Sequence, residues 1–260
     1  MGYLEPGRVL AFAHRGGAYH PEIEGLENTL AAFQHAAALG YDYLETDVHV
    51  TRDGVLLAFH DRVLDRVTDR VGAIADLDLA DIRRARIGGR EQVPTLVELI
   101  DGCHGARFNI DLKSDGAARA LAELVRERDL WDRVLVGSFS PGRVREFRRL
   151  TGGRVPTAAH VWEIVAFRFS PSPRLAALLS GRDFDAFQVP HRRGSLRVVT
   201  AGFVRRAHAA GRHVHVWTVD DPEEMHELLD LGVDGIFTDR TDLLKDVLVA
   251  RGQWRSASGR

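Results

Sequence analysis

The chain has a single cysteine, Cys103, and only two lysines, Lys113 and Lys245, among its 35 basic residues. One thiol excludes an internal disulfide framework and suits a reducing compartment. No apolar run approaches the ~20 residues that a membrane span needs. The opening residues, MGYLEPGRVLAFAHRGG, lack a charged lead followed by a long apolar core. No secretory leader is therefore expected, and the expected location is cytoplasmic. Net charge is equally scarce. A balance of −2 over 260 residues gives no electrostatic reason for binding nucleic acid or a membrane surface. No Gly-x-Gly-x-x-Gly or P-loop follows the first apolar run, which weakens a nucleotide-binding open sheet. Internal repeats, low-complexity stretches and linkers are also missing, so one domain is the simplest reading, and nothing specifies an oligomer.

What is present is an ordinary globular composition, 45% hydrophobic and 28% charged, with strand-like and helix-like segments alternating from end to end. Strands are predicted at Arg8–Ala13, Tyr43–Asp61 (as a hairpin), Arg107–Lys113, Arg133–Phe139, Val155–His160, Ala186–Val189, His213–Val219 and Gly235–Thr238. Helices are predicted at Asn28–Leu39, from Pro94 through Ile100, and at Gly116–Arg128, Gly142–Leu150, Arg174–Ser180 (after an irregular approach), Thr200–Ala210, Pro222–Asp230 and Thr241–Ala250. Residues 62–93 are charged and turn-rich and read as an insertion; 251–260 read as a frayed tail. Eight strand–helix pairs in residues 1–250 have the size of a TIM (β/α)8 barrel with a short insertion after the second strand. A doubly wound open sheet is the rival, since periodicity alone cannot close a barrel.

Within Tyr43–Asp61, alternation puts Tyr43, Glu45, Asp47 and His49 on one side of a strand whose other side is largely apolar. Two neighbouring carboxylates repel in a partly dry site, and a divalent cation would relieve that. A solvated sheet edge is the plainer alternative. In a TIM barrel the reactive groups gather at the C-terminal ends of the strands. Those ends carry His14 and Arg15, then Glu45, Asp47 and His60, then Asn109, Asp111 and Lys113, then Gln188 and His191, then Trp217 and Thr218. Three carboxylates and water make an oxygen-rich shell suited to one Mg²⁺ or Ca²⁺ and not to zinc. Each residue also has an ordinary structural reading. His14 would cap a turn, Asp111 would pair with Lys113, Trp217 would be core, and Gly16 and Gly17 would supply a positive-φ turn.

The ensemble His14-Arg15-Gly16, Glu27-Asn28-Thr29, Glu45-Thr46-Asp47, Thr51-Arg52-Asp53-Gly54 and His60-Asp61 resembles the glycerophosphodiester phosphodiesterase family. Ile110-Asp111-Leu112-Lys113, Val216-Trp217-Thr218-Val219 and the run Val233 to Asp239 resemble that family's third, seventh and eighth strands, so the likeness spans about residues 9–245. It implies a metal-dependent TIM-barrel phosphodiesterase releasing an alcohol and glycerol 3-phosphate from a small glycerophosphodiester. Carried over by position, His14 and His60 are the acid–base pair. Glu45, Asp47 and Asp111 hold the metal, Arg15 and Lys113 bind phosphate, and Trp217 lines the glycerol or head-group pocket. The attacking group would be water or, as the resemblance favours, a glycerol hydroxyl. Two departures stand out: Asp111 replaces the family's usual Glu, and Leu26 its usual Pro, before a long Ala18–Gly25 loop. A lipid-directed relative, acting as a phospholipase D on lysophospholipids or sphingomyelin, is the alternative; it would need an exposed apolar rim. The stretch His160–Ser170 is the only candidate for one and is expected to pack over the barrel instead. A non-catalytic phosphate-binding barrel would have lost a histidine or carboxylate, and all are present.

Overall fold

In the computed structural model, which describes residues 2–170 and 183–255, the first apolar run forms β1 (Leu10–His14). It pairs in parallel with two strands distant in sequence, β2 (Tyr43–Val50) and β10 (Gly235–Thr238). β2 also carries the short antiparallel β3 (Leu56–Ala58) as its hairpin partner. From β2 the parallel sheet continues to β4 (Arg107–Leu112) and β5 (Val134–Gly137). From β10 it continues to β9 (His213–Trp217) and β6 (Ala186–Pro190). The order β5-β4-β2-β1-β10-β9-β6 is a nearly closed barrel, so the TIM-barrel reading holds and the open-sheet rival does not.

Between β5 and β6 the predicted strand Val155–His160 shrinks to two single bridges, Val136 to Thr157 and Ala158 to Ala186. Pro156 has no N–H to give, and the Thr157 N–H goes to the Asp185 carboxylate at 2.9 Å, so a ladder cannot extend. The "irregular approach" predicted after it is instead a helix, α6 (Val161–Phe169), started by a reciprocal His160–Glu163 cap. The predicted helix Arg174–Ser180 lies outside the described residues. A small hairpin, β7 (Arg192–Arg193) with β8 (Leu196–Arg197), was not predicted.

The remaining helices begin where the sequence supplies a cap. Thr29 accepts from Ala32 N at the start of α1 (Leu30–Ala38), and Thr95 with Glu98 forms a reciprocal box at α3 (Leu96–Gly102). α4 (Ala117–Glu127), α5 (Pro141–Thr151), α7 (Ala201–Ala209), α8 (Pro222–Asp230) and α9 (Thr241–Ala250) follow their strands, burying one face each against the sheet. Inside the barrel, Leu10, Phe12, Tyr43, Leu135, Ala186 and Phe237 fill the end away from the polar rim, with Phe12 and Phe237 stacked at 4.2 Å.

The insertion after β3 is more than a loop. It contains α2 (Leu79–Ile82) and its own buried cluster of Leu64, Ile74, Ile82, Ala85, Ile87 and Val93 against Leu57 and Phe59 of the barrel side. Within the tail expected to fray, the described residues 251–255 are held against the body. The Arg8 guanidinium donates to the Arg255 carbonyl at 2.7 Å, and Trp254 packs edge-on against Tyr41.

At the rim, Gly16 (φ +85°) turns the chain after β1, and a Cβ there would lie 2.8 Å from Ala32 Cβ and 3.1 Å from its backbone carbon. Gly16→Ala is expected to cost roughly 1–3 kcal/mol of stability, read as a lowered urea midpoint.

Candidate active site

Register brings together what sequence separates. His14 sits opposite Glu45, Glu45 opposite Asn109, and Asp47 opposite Asp111. Glu45 and Asp47 therefore point into the mouth of the barrel from β2, and Asp111 joins them from β4. The solvated-edge alternative fails, since Glu45 is 5% exposed and Asp47 2%.

His14 Nδ1 lies 2.8 Å from Asp239 Oδ1, at the end of β10. A carboxylate only accepts, so the ring carries its proton on Nδ1 and turns Nε2 toward Glu45, 3.8 Å away. Asp239 is in turn set by Asp220, whose Oδ1 accepts from Asp239 N and Thr238 Oγ1. His60 is arranged the same way, with Nδ1 2.6 Å from Asp61 Oδ1.

Arg15 adopts φ +49°, and its N–H donates to Glu45 Oε2 at 3.0 Å. Its guanidinium lies 3.4 Å from Asp47 and 3.3 Å from Glu27. Asn28, also at positive φ, donates to Asp47 Oδ2 at 3.2 Å and accepts from Thr46 at 2.8 Å. Lys113 Nζ lies between two acids, 2.9 Å from Asp47 Oδ1 and 2.7 Å from Asp111 Oδ2. The structural pairing of Asp111 with Lys113 is thus real. Lys113 also lies 5.7 Å from the centroid of the Phe139 ring, which meets Trp217 edge-on at 5.7 Å to make an aromatic wall on that side.

Two predicted rim residues turn elsewhere. Gln188 donates to Asn109 at 2.6 Å inside the barrel, and His191 pairs with Glu224 at 2.5 Å. Glu27, Asn28, Asp61 and Asp239 belong to motifs visible in the sequence, but their contacts were not. Phe139 ends a predicted strand but was given no role, and Arg66 carried no sequence signal.

The electrostatics follow from crowding. Burial and the Asp47 charge push Glu45 up to about 7. Burial also raises Asp111, against the pull of Lys113. For Asp47, burial opposes ionisation, but Lys113 and Arg15 outweigh it and its carboxyl is held below the usual range. Burial alone would lower His14; the Glu45 charge and the Asp239 bond override it and raise the imidazole to about 9. A raised folded-state value stabilises fully below the unfolded imidazole value of ~6.5 and is lost as pH climbs through about 9. The histidines lowered by burial, such as His49, His213 and His215, act below that window. The chelated protein is expected to lose stability between pH 7 and 9, and His14→Asn to flatten the slope, as read from urea midpoints.

The donor set fits a hard divalent cation in its chemistry. It is all oxygen, two of the three acids resist ionisation where they stand, and Asp111 Oδ1 is buried without a hydrogen-bond partner. Among the described residues, no three acidic, histidine or cysteine side chains already form a metal-binding group, and Lys113 supplies positive charge between two of the acids.

On α6, Phe167 is buried while Trp162 and Phe169 are each 67% exposed, so the expected packing of His160–Ser170 over the barrel holds for one face only. No helix among the described residues is long and apolar enough to cross a membrane.

The sequence model of the glycerophosphoryl diester phosphodiesterase family matches residues 14–243. A Mycobacterium tuberculosis protein named probable glycerophosphodiester phosphodiesterase 2 is 43% identical over 257 residues, covering 98% of this chain and 96% of its own. The crystal structure of a glycerophosphodiester phosphodiesterase from Agrobacterium tumefaciens superposes with a TM-score of 0.74 at 26% identity, covering 91% of this chain and 99% of that one. An Oleispira antarctica phosphodiesterase, solved with the product sn-glycerol-3-phosphate, shares the fold with a TM-score of 0.75 at 24% identity over 92% and 96% of the two chains.

Proposed function

The chain belongs to the glycerophosphoryl diester phosphodiesterase family, a family of phosphodiester hydrolases, and from that premise we propose that it cleaves small glycerophosphodiesters to an alcohol and glycerol 3-phosphate by two-histidine acid–base catalysis beside one divalent cation. The observation that carries this reading is the convergence of two carboxylate-braced imidazoles, His14 and His60, with Arg15, Lys113 and three acids at one end of the barrel.

A phosphodiester monoanion repels nucleophiles, so its charge must be met as the reaction proceeds. Arg15 offers a planar fork and Lys113 a point charge to the phosphate oxygens. Glu45, Asp47 and Asp111 are the residues that would hold Mg²⁺ or Ca²⁺. When bound, that ion supplies further neutralisation of the phosphate. His14, oriented by the bond between its Nδ1 and Asp239, donates a proton to the leaving oxygen. His60 fixes its Nδ1 proton on Asp61, which leaves Nε2 to take a proton from the attacking oxygen. Trp217, with Phe139, walls the side on which glycerol or the head group lies.

The test is a substrate panel. Glycerophosphocholine, glycerophosphoethanolamine and a lysophospholipid are offered with Mg²⁺ or Ca²⁺. Glycerol 3-phosphate from the water-soluble diesters is the expected product. Turnover confined to the lysophospholipid would favour the lipid-directed reading, and a cyclic glycerol phosphate in the ³¹P spectrum would identify a glycerol hydroxyl as the attacking group.

A further inference from the structure

The insertion contributes a side chain to the catalytic end that no motif assigned. Arg66 donates through Nε to Asp61 Oδ2 at 2.5 Å and through both terminal nitrogens to Glu27, at 2.6 and 2.8 Å. Each of those acids holds a different part of the site. Asp61 faces His60 Nδ1, and Glu27 Oε1 also accepts from Arg15 at 3.3 Å. The result is one continuous chain, His60–Asp61–Arg66–Glu27–Arg15. It joins the proposed proton acceptor to the proposed phosphate ligand across a guanidinium from outside the barrel.

We propose that Arg66 is a positioning residue that sets His60 and Arg15 together, so that the insertion serves the reaction as well as capping the barrel. This rests on the roles given above to His60 and Arg15. The geometry favours it over an ordinary surface ion pair. An isolated exposed pair contributes little, but Arg66 fills three donor positions on two acids that each have a second task. Its own backbone is fixed. Leu64, two residues before it, is buried in the insertion's core, and Thr68, two after, donates through Oγ1 to the Leu64 carbonyl at 2.9 Å. Only a planar fork spans both carboxylates at once, which a lysine cannot do.

The test compares Arg66→Gln and Arg66→Lys with wild type in three measurements: kcat, the affinity for inorganic phosphate by calorimetry, and the melting temperature. Arg66→Gln is expected to lower kcat about ten- to a hundredfold and to weaken phosphate binding by a comparable factor, while the protein stays folded at the assay temperature. Arg66→Lys is expected to recover one of the two, not both. Unchanged kcat and phosphate affinity per folded molecule would overturn the proposal, as would full recovery of both by lysine. Phosphate binding is measured without turnover. A wild type that cleaved no glycerophosphodiester would therefore sink the functional reading and still leave the Arg66 coupling decided by its own result.

Discussion

His60→Ala is expected to remain folded and to turn over roughly 10²–10⁴-fold more slowly than wild type, the usual contribution of one positioned proton-transfer group. The ring lies at the rim, with its side chain 32% exposed and its Nδ1 against the partly buried Asp61, so removing it opens no cavity in the core. Melting temperature should move little, and the loss should appear in kcat. His14→Ala is expected to match it in rate but not in stability, because that ring is partly buried between Asp239 and Glu45 and its removal leaves two acids without their partner. The pair of variants separates the two effects. If His60→Ala kept near-normal kinetics, the residue would have no place in the mechanism.

Asp47→Asn carries the second large effect. Of the three acids, Asp47 is the one held ionised, contacted by Lys113, Arg15 and Asn28 together. The amide keeps the shape and removes the charge around which the cationic groups are arranged. Turnover is expected to fall by about 10²–10³-fold, and the concentration of Mg²⁺ or Ca²⁺ needed for half-maximal rate to rise. Glu45, relieved of a like charge, should ionise more readily in this variant. Wild-type metal dependence in Asp47→Asn would remove Asp47 from the ion's shell.

What the sequence determines locally, and what only folding determines, separate at particular residues. Alternation placed Glu45 with Asp47, and Asn109 with Asp111, because side-chain direction in a strand is local information. It could not say that Asp47 would lie opposite Asp111, since register is fixed by how the barrel closes. The His14–Asp239 bond joins residues 225 positions apart and exists only because β1 and β10 are neighbours. The Val155–His160 strand failed where a proline and a side-chain acceptor disrupted the ladder, a competition that hydrophobic pattern does not register. Arg66 was one arginine among many in a charged stretch, and only the folded insertion shows which acids it reaches. His191 illustrates the opposite error. It follows a barrel strand, where reactive groups gather, yet its imidazole faces Glu224 on α8.

That acids from β2 and β4 share one divalent ion beside a phosphate flanked by two imidazoles is the proposal on which the mechanism turns. Its most direct test is hydrolysis of glycerophosphocholine by protein stripped with EDTA, before and after Mg²⁺ or Ca²⁺ is returned. Choline and glycerol 3-phosphate are expected only once the ion is restored, and full-rate cleavage in the presence of the chelator would show that no such ion takes part.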